Sequence, residues 1–305
     1  MQIKNIRLNK KSSILLGLKL AFLGVSIWYV VYEVSLRGGR LDNFVLPKNF
    51  WQFTLLCTLL MFVNWGLEAL RWRVSLKTVE QLSFWQSCKV VLTGLAMNLL
   101  VPFTVGDAVA RILSLKNKHQ GTCAMMLNRG IMLVITLSYG LYSVDSYVGK
   151  DWSLVHLAWV LPFGLTPLFF LRKHLTKFAL YFRELSLRLT LSIVSLSLLR
   201  YLVFVFQFFI LIKLFLPEVH GETILQGIGW VFLSRSIFPA FLGGMGIREA
   251  SGLMFFSNFV PNPTVVLGPI FIVWVINTML PSLLGLISVW NFRFKIAGWS
   301  FLSQG

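Results

Sequence analysis

The sequence predicts an all-α, polytopic bundle of membrane helices, and three observations carry that prediction. Hydrophobic residues fill 56% of the 305 positions and charged residues only 13%, a balance that favours lipid over water as solvent. Apolar runs of about 20 residues, the length that crosses a bilayer, recur along the whole chain. Lysine and arginine collect in short stretches between those runs, as they do in loops kept on the cytoplasmic side. No Pro- or Ser-rich linker and no long polar block interrupts residues 1–305, so a single integral membrane domain is expected.

In order, the candidate spans are 13–33, 51–71, 84–103, 123–145, 153–171, 190–215, 223–242 and 264–291. The first follows lysines as a signal peptide would, but its apolar run is too long and no small-x-small site follows, so it reads as an uncleaved helix. Its N-terminus is therefore expected in the cytoplasm. If every segment crossed, the loop 104–122 with Arg111, Lys116 and Lys118 would lie outside, and the loop 145–151 with Asp145 and Asp151 inside. Both placements oppose the charge rule, and a segment 84–103 that enters from the cytoplasm and returns repairs both.

The basic stretch 172–188 then becomes cytoplasmic and PEVHGE at 217–222 external. Basic NFRFKIAG at 291–298 also belongs in the cytoplasm, which calls for a second re-entrant element over 223–260. The expected architecture is about six full spans plus two broken-helix elements entering from opposite faces, the arrangement of an inverted repeat. Both termini of such a chain are expected in the cytoplasm.

A net charge of +17 reads first as topology and second as attraction to anionic headgroups. A nucleic-acid partner is not expected, because no water-soluble domain carries the charge on one face. Cys57, Cys88 and Cys123 lie in or beside apolar segments without a CxxC pair and read as packing residues. His119, His156, His174 and His220 lack ligand spacing, so neither a metal nor a cofactor is expected.

Charged residues inside apolar segments cost about 2.5–3.5 kcal/mol each on insertion scales and so point to function. In NWGLEALRWR at 64–73, Asn64, Glu68 and Arg71 share a helical face. An ion pair at the helix end, with Trp65 and Trp72 anchored at the interface, is the plainer alternative. In NLLVPFTVGDAVARIL, which starts at Asn98, Pro102 and Gly106 break a helix, and Asp107 and Arg111 follow at i and i+4. An ordinary capped loop would explain the same residues.

FPAFLGGMGIREA at 238–250 repeats the design, with Pro239, Gly243, Gly244 and Gly246 ahead of Arg248 and Glu249. Exposed helix amides, glycines and an arginine together suit a phosphate or carboxylate. Arg129, Arg200 and Arg235 stand in apolar runs without an adjacent carboxylate, and an excess of buried arginine suggests an anionic guest. For Arg200, snorkelling to the interface competes evenly with that role.

These three motifs, in this order and spacing, resemble the lysylphosphatidylglycerol synthetase transmembrane-region family of flippase-like proteins, over nearly the whole chain. The family pattern P-x-R-x-G-E-x-x-x-R has Thr104 at its arginine and Asp107 at its glutamate here, and a Glu-Arg pair of the next helix appears as Asn128–Arg129. The resemblance implies a membrane bundle that moves an anionic lipid or lipid-linked precursor between leaflets, with membrane lipids as partners. The cytoplasmic aminoacyl-transfer domain of some members is not expected in a chain ending at Gly305. A non-transporting scaffold, or an enzyme acting on a lipid phosphate, are the alternatives. The enzyme is disfavoured because no nucleophile–base arrangement, no DxxD cluster and no motif histidine is present.

Overall fold

The structure is a computed structural model that describes residues 10–36, 46–100, 106–148, 181, 183, 185–238, 244–260, 262 and 264–291. Its described residues are helical, with no strand among them: α1 (Lys10–Leu36), α2 (Phe50–Ser75), α3 (Phe84–Leu100), α4 (Gly106–Leu113), α5 (Lys118–Val148), α6 (Leu187–Phe215), α7 (Gly221–Ile237), α8 (Ile247–Phe256), α9 (Thr264–Trp274), a π-helical turn Val275–Met279, and α10 (Leu280–Asn291). Four helices among them are long and apolar enough to cross a membrane: Phe50–Ser75, Lys118–Val144, Leu187–Phe215 and Thr264–Ile287. In α1 the apolar portion is the shorter Leu23–Leu36. The expected span 153–171 and the helix-breaking residues Pro102, Pro239 and Gly243 lie outside the described residues.

Local chemistry sets the helix ends. Ser186 opens α6 by accepting the Leu189 N–H on its hydroxyl at 3.3 Å. The expected helix 223–242 stops at Ile237, because Phe238 precedes a proline and is extended at φ −87°, ψ 142°. Between α9 and α10 the backbone widens into the π-turn, where the Leu280 N–H bonds back to the Val275 carbonyl. Pro281 follows at once, and its ring would collide with the carbonyl of Asn277 in a regular helix. The bulge relieves that collision and turns Asn277 toward α2.

α2 packs on α6 and α3, α3 on α4 and α10, α5 on α7, and α8 on α7, α1 and α9. Their apolar side chains form two separate clusters. One joins Cys57 and Met61 of α2 to Tyr201, Phe208 and Ile212 of α6 and to parts of α7, α8 and α9. The other joins Ala69, Trp72 and Leu76 of α2 to Val90, Ala124, Leu127 and Ile193. Between them, on the same three helices, lie Asn64, Glu68 and Arg71 of α2, Asn128 and Arg129 of α5, and Ser197 and Arg200 of α6. A polar belt thus divides two apolar layers. Glu68 lies seven residues, about 10 Å, inside the end of α2, and Arg200 thirteen residues, about 20 Å, inside the start of α6.

Candidate functional site

The belt is built on an alternating chain of charges. Glu68 projects from α2 beside Arg71, one helical turn on, whose Nη2 donates to Oε2 at 2.6 Å. Arg71 also donates through Nη1 to the Ser197 hydroxyl at 3.1 Å. The second oxygen of Glu68 accepts from Arg111 Nη1 of α4 at 2.7 Å, a contact 43 residues away in sequence. Arg111 then reaches back one turn, Nε to Asp107 Oδ1 at 2.6 Å. Asp107 Oδ2 accepts from Arg129 Nη2 of α5 at 2.5 Å. Arg200 of α6 approaches Glu68 Oε2 at 3.4 Å.

Burial gives the chain its character. Glu68, Arg71, Asp107 and Arg111 are all under 5% exposed, so each charge depends on its partner for compensation. The Arg129 side chain is 60% exposed and forms the open end. Tryptophans support two of the cations: the Arg111 guanidinium sits over the Trp72 ring at 5.4 Å and that of Arg200 over Trp65 at 5.1 Å. Trp72 is fully buried, so it braces the network and is not an interfacial anchor.

α4 can deliver Asp107 and Arg111 because the backbone of α3 lies against it. A Cβ on Gly106 would run into the carbonyl group of Met97, and one on Gly94 into the Asp107 carboxylate, so both positions need glycine for this approach. Asn98 of α3 accepts the Asp107 N–H on its side-chain oxygen at 2.9 Å and satisfies one orphan donor at the start of α4. Asn128 donates to the Ser75 hydroxyl at 2.9 Å.

A cavity of about 490 Å³ opens onto this network, within the ~300–1,000 Å³ range of small-molecule sites. Its wall carries Arg71, Arg111, Arg129, Arg200 and Arg235 against Glu68 and Asp107, a formal excess of three positive charges. Aromatic Trp65, Tyr201, Phe204 and Phe232 supply much of the rest. A smaller cavity of about 100 Å³ shares Trp65, Asn98, Arg200 and Arg235 with it and adds Asn64, Asn277, Thr278 and Ser282. Asn64 donates to the Asn277 side-chain oxygen at 3.3 Å across that end.

The third motif is placed differently. Gly244 (φ 93°) and Gly246 (φ 86°) make the left-handed turn into α8, which side chains with a Cβ rarely adopt. Glu249 accepts the Gly246 N–H at 2.7 Å and so caps the helix start. Arg248 is 1% exposed, with Nη2 3.5 Å from the Thr278 hydroxyl. None of these four residues lines either cavity. Gly244 touches the site indirectly, since a Cβ there would lie 3.1 Å from Nε of Arg235.

Of the residues singled out in the sequence, Asn64, Glu68, Arg71, Asn98, Asp107, Arg111, Arg129 and Arg235 therefore converge on the cavities, with Gly106 fixing the approach of α4. Sequence reasoning left Arg200 evenly balanced between snorkelling and this role, and it missed Asn277. The available signals were an arginine within an apolar run and an asparagine four residues before Pro281. Among the described residues no three His, Cys, Asp or Glu side chains gather as metal ligands. Chemically, the cavity offers forked cationic donors beside aromatic walls, which suits an anion attached to an apolar body. Compared with known proteins, the chain matches no family model, no curated protein and no solved structure.

Proposed function

We propose that the protein binds the headgroup of an anionic lipid, or of a lipid-linked precursor, in the arginine-lined cavity and moves it between leaflets of a bacterial inner membrane. The observation that carries this reading is the excess of three arginines in a cavity between two apolar layers. Uncompensated cations at that depth are costly unless an anion joins them. Aromatic walls beside the cations suit the region where a headgroup meets its acyl chains.

The reading includes a topology of about six spans with two broken-helix elements. α3 is 17 residues long and α7 is 17, about 25 Å each, which is short of a full crossing. A shorter helix packs against each, α4 on α3 and α8 on α7. The Lys116 N–H meets Glu80 at 3.0 Å, which joins the basic ends of α2 and α4 on one side. The charge rule makes that side cytoplasmic. Kinship with the flippase-like transmembrane family belongs to the same proposal.

Translocation in proteoliposomes tests it. A labelled anionic lipid should exchange leaflets faster with the wild type than in empty vesicles, and Arg235→Gln should remove most of that gain. Equal rates in protein-free and protein-containing vesicles would reject transport. A scaffold role is the second reading, favoured by Glu249, whose carboxylate caps a helix and does not face the cavity.

A further inference from the structure

We infer that the headgroup taken by this cavity is a doubly charged phosphate, meaning a phosphomonoester or diphosphate and not a singly charged phosphodiester; this rests on the headgroup reading above. The five arginines fall into two groups. Arg71 and Arg111 are sequestered, each held at 2.6–2.7 Å by a buried carboxylate and under 5% exposed. Glu68 and Asp107 thereby balance two cations. Three remain, and each comes from a different helix.

Arg129 of α5 shares Asp107, which already holds Arg111 at 2.6 Å, and exposes 60% of its side chain. Arg200 of α6 is 3.4 Å from a Glu68 oxygen that Arg71 holds at 2.6 Å, so its contact is the weaker of the two. Arg235 of α7 has no carboxylate within ion-pair distance among the described residues. All three line the same cavity.

A terminal phosphate presents three equivalent oxygens, one for each of these guanidinium groups, whereas a diester presents two and must also fit its second ester arm. Charge points the same way. One negative charge would leave two cations uncompensated beside Trp65, Tyr201, Phe204 and Phe232, where low polarity strengthens their mutual repulsion. A phosphomonoester, with a second ionisation near pH ~6, brings close to two charges at neutral pH. Diphosphate brings at least as many.

The test is equilibrium binding to the detergent-solubilised full chain of phosphatidic acid and of phosphatidylglycerol with identical acyl chains, read by native mass spectrometry. Phosphatidic acid should bind about tenfold tighter at alkaline pH, and the preference should shrink as acid removes its second charge. Arg235→Gln and, should that variant fold poorly, the more exposed Arg129→Gln should each remove the preference. Equal affinities that still fall in the arginine variants would overturn the doubly charged headgroup and leave an anionic headgroup site standing. Binding of neither lipid above the variants' level would overturn both. Inorganic pyrophosphate supplies a further arm. If it displaces phosphatidic acid at comparable concentration, the same dianion comes from water; if only lipid competes, it comes from the membrane.

Discussion

At the scale of single residues, Glu68 is the keystone of the network. It holds Arg71 and Arg111 at 2.6 and 2.7 Å, with Arg200 at 3.4 Å, so Glu68→Gln leaves buried cations without their counter-charge. Loss of one partner from a buried pair costs about 3–5 kcal/mol, whereas an exposed partner is worth at most ~1 kcal/mol. Thermal unfolding in detergent should therefore show a large loss for Glu68→Gln and a small one for Arg129→Gln. Similar losses would mean that the chain of charges is not a graded structure with one open end. Two of the five ion pairs in this network were legible in the sequence. Glu68–Arg71 and Asp107–Arg111 follow from helical spacing, because three and four residues apart is one turn. Glu68–Arg111 was not legible, since it bridges 43 residues and depends on glycine letting α4 lie against α3. Arg200 was ambiguous for a physical reason: snorkelling and cavity lining need the same side chain, and only the rotation of α6 separates them.

At the scale of elements, the two helix breaks share a plan and differ in use. Each joins a 17-residue helix to a shorter one, eight residues in α4 and ten in α8. The first break points its acid and base into the cavity. The second keeps Glu249 for the Gly246 amide, and Arg235, before the break, is its one charged residue that lines the cavity among the described residues. Glutamine keeps a carbonyl oxygen that can accept that amide, so Glu249→Gln should cost little. Glu249→Ala should cost about 1 kcal/mol, as loss of a helix cap does. Lipid binding should be unchanged by either substitution, and a drop in affinity for Glu249→Gln at constant stability would return this residue to the site. Sequence similarity between the breaks suggested equivalent roles because Pro, Gly and Arg recur at matching places. Which groups face inward depends on the left-handed turn at Gly244 and Gly246, whose direction composition does not encode.

For the molecule as a whole, two apolar layers enclose one charged layer, and the position of the cavity follows from that order. Helix positions were readable from hydropathy for α2, α5 and α6, whose apolar runs match candidate spans. The π-turn was not readable, because its cause is a collision between Pro281 and a carbonyl one turn earlier. In the proposed function an anionic headgroup rests between the helices, in contact with Arg129, Arg200 and Arg235. Photocrosslinking with an anionic lipid carrying a diazirine on its headgroup, followed by mass-spectrometric mapping of the adducts, tests this most directly. Adducts are expected on the cavity wall, at Met132, Thr136 and Phe204, and an excess of unlabelled anionic lipid should suppress them. Adducts confined to outward-facing residues such as Trp28, Trp51 and Leu59, with the cavity wall unlabelled, would contradict this placement.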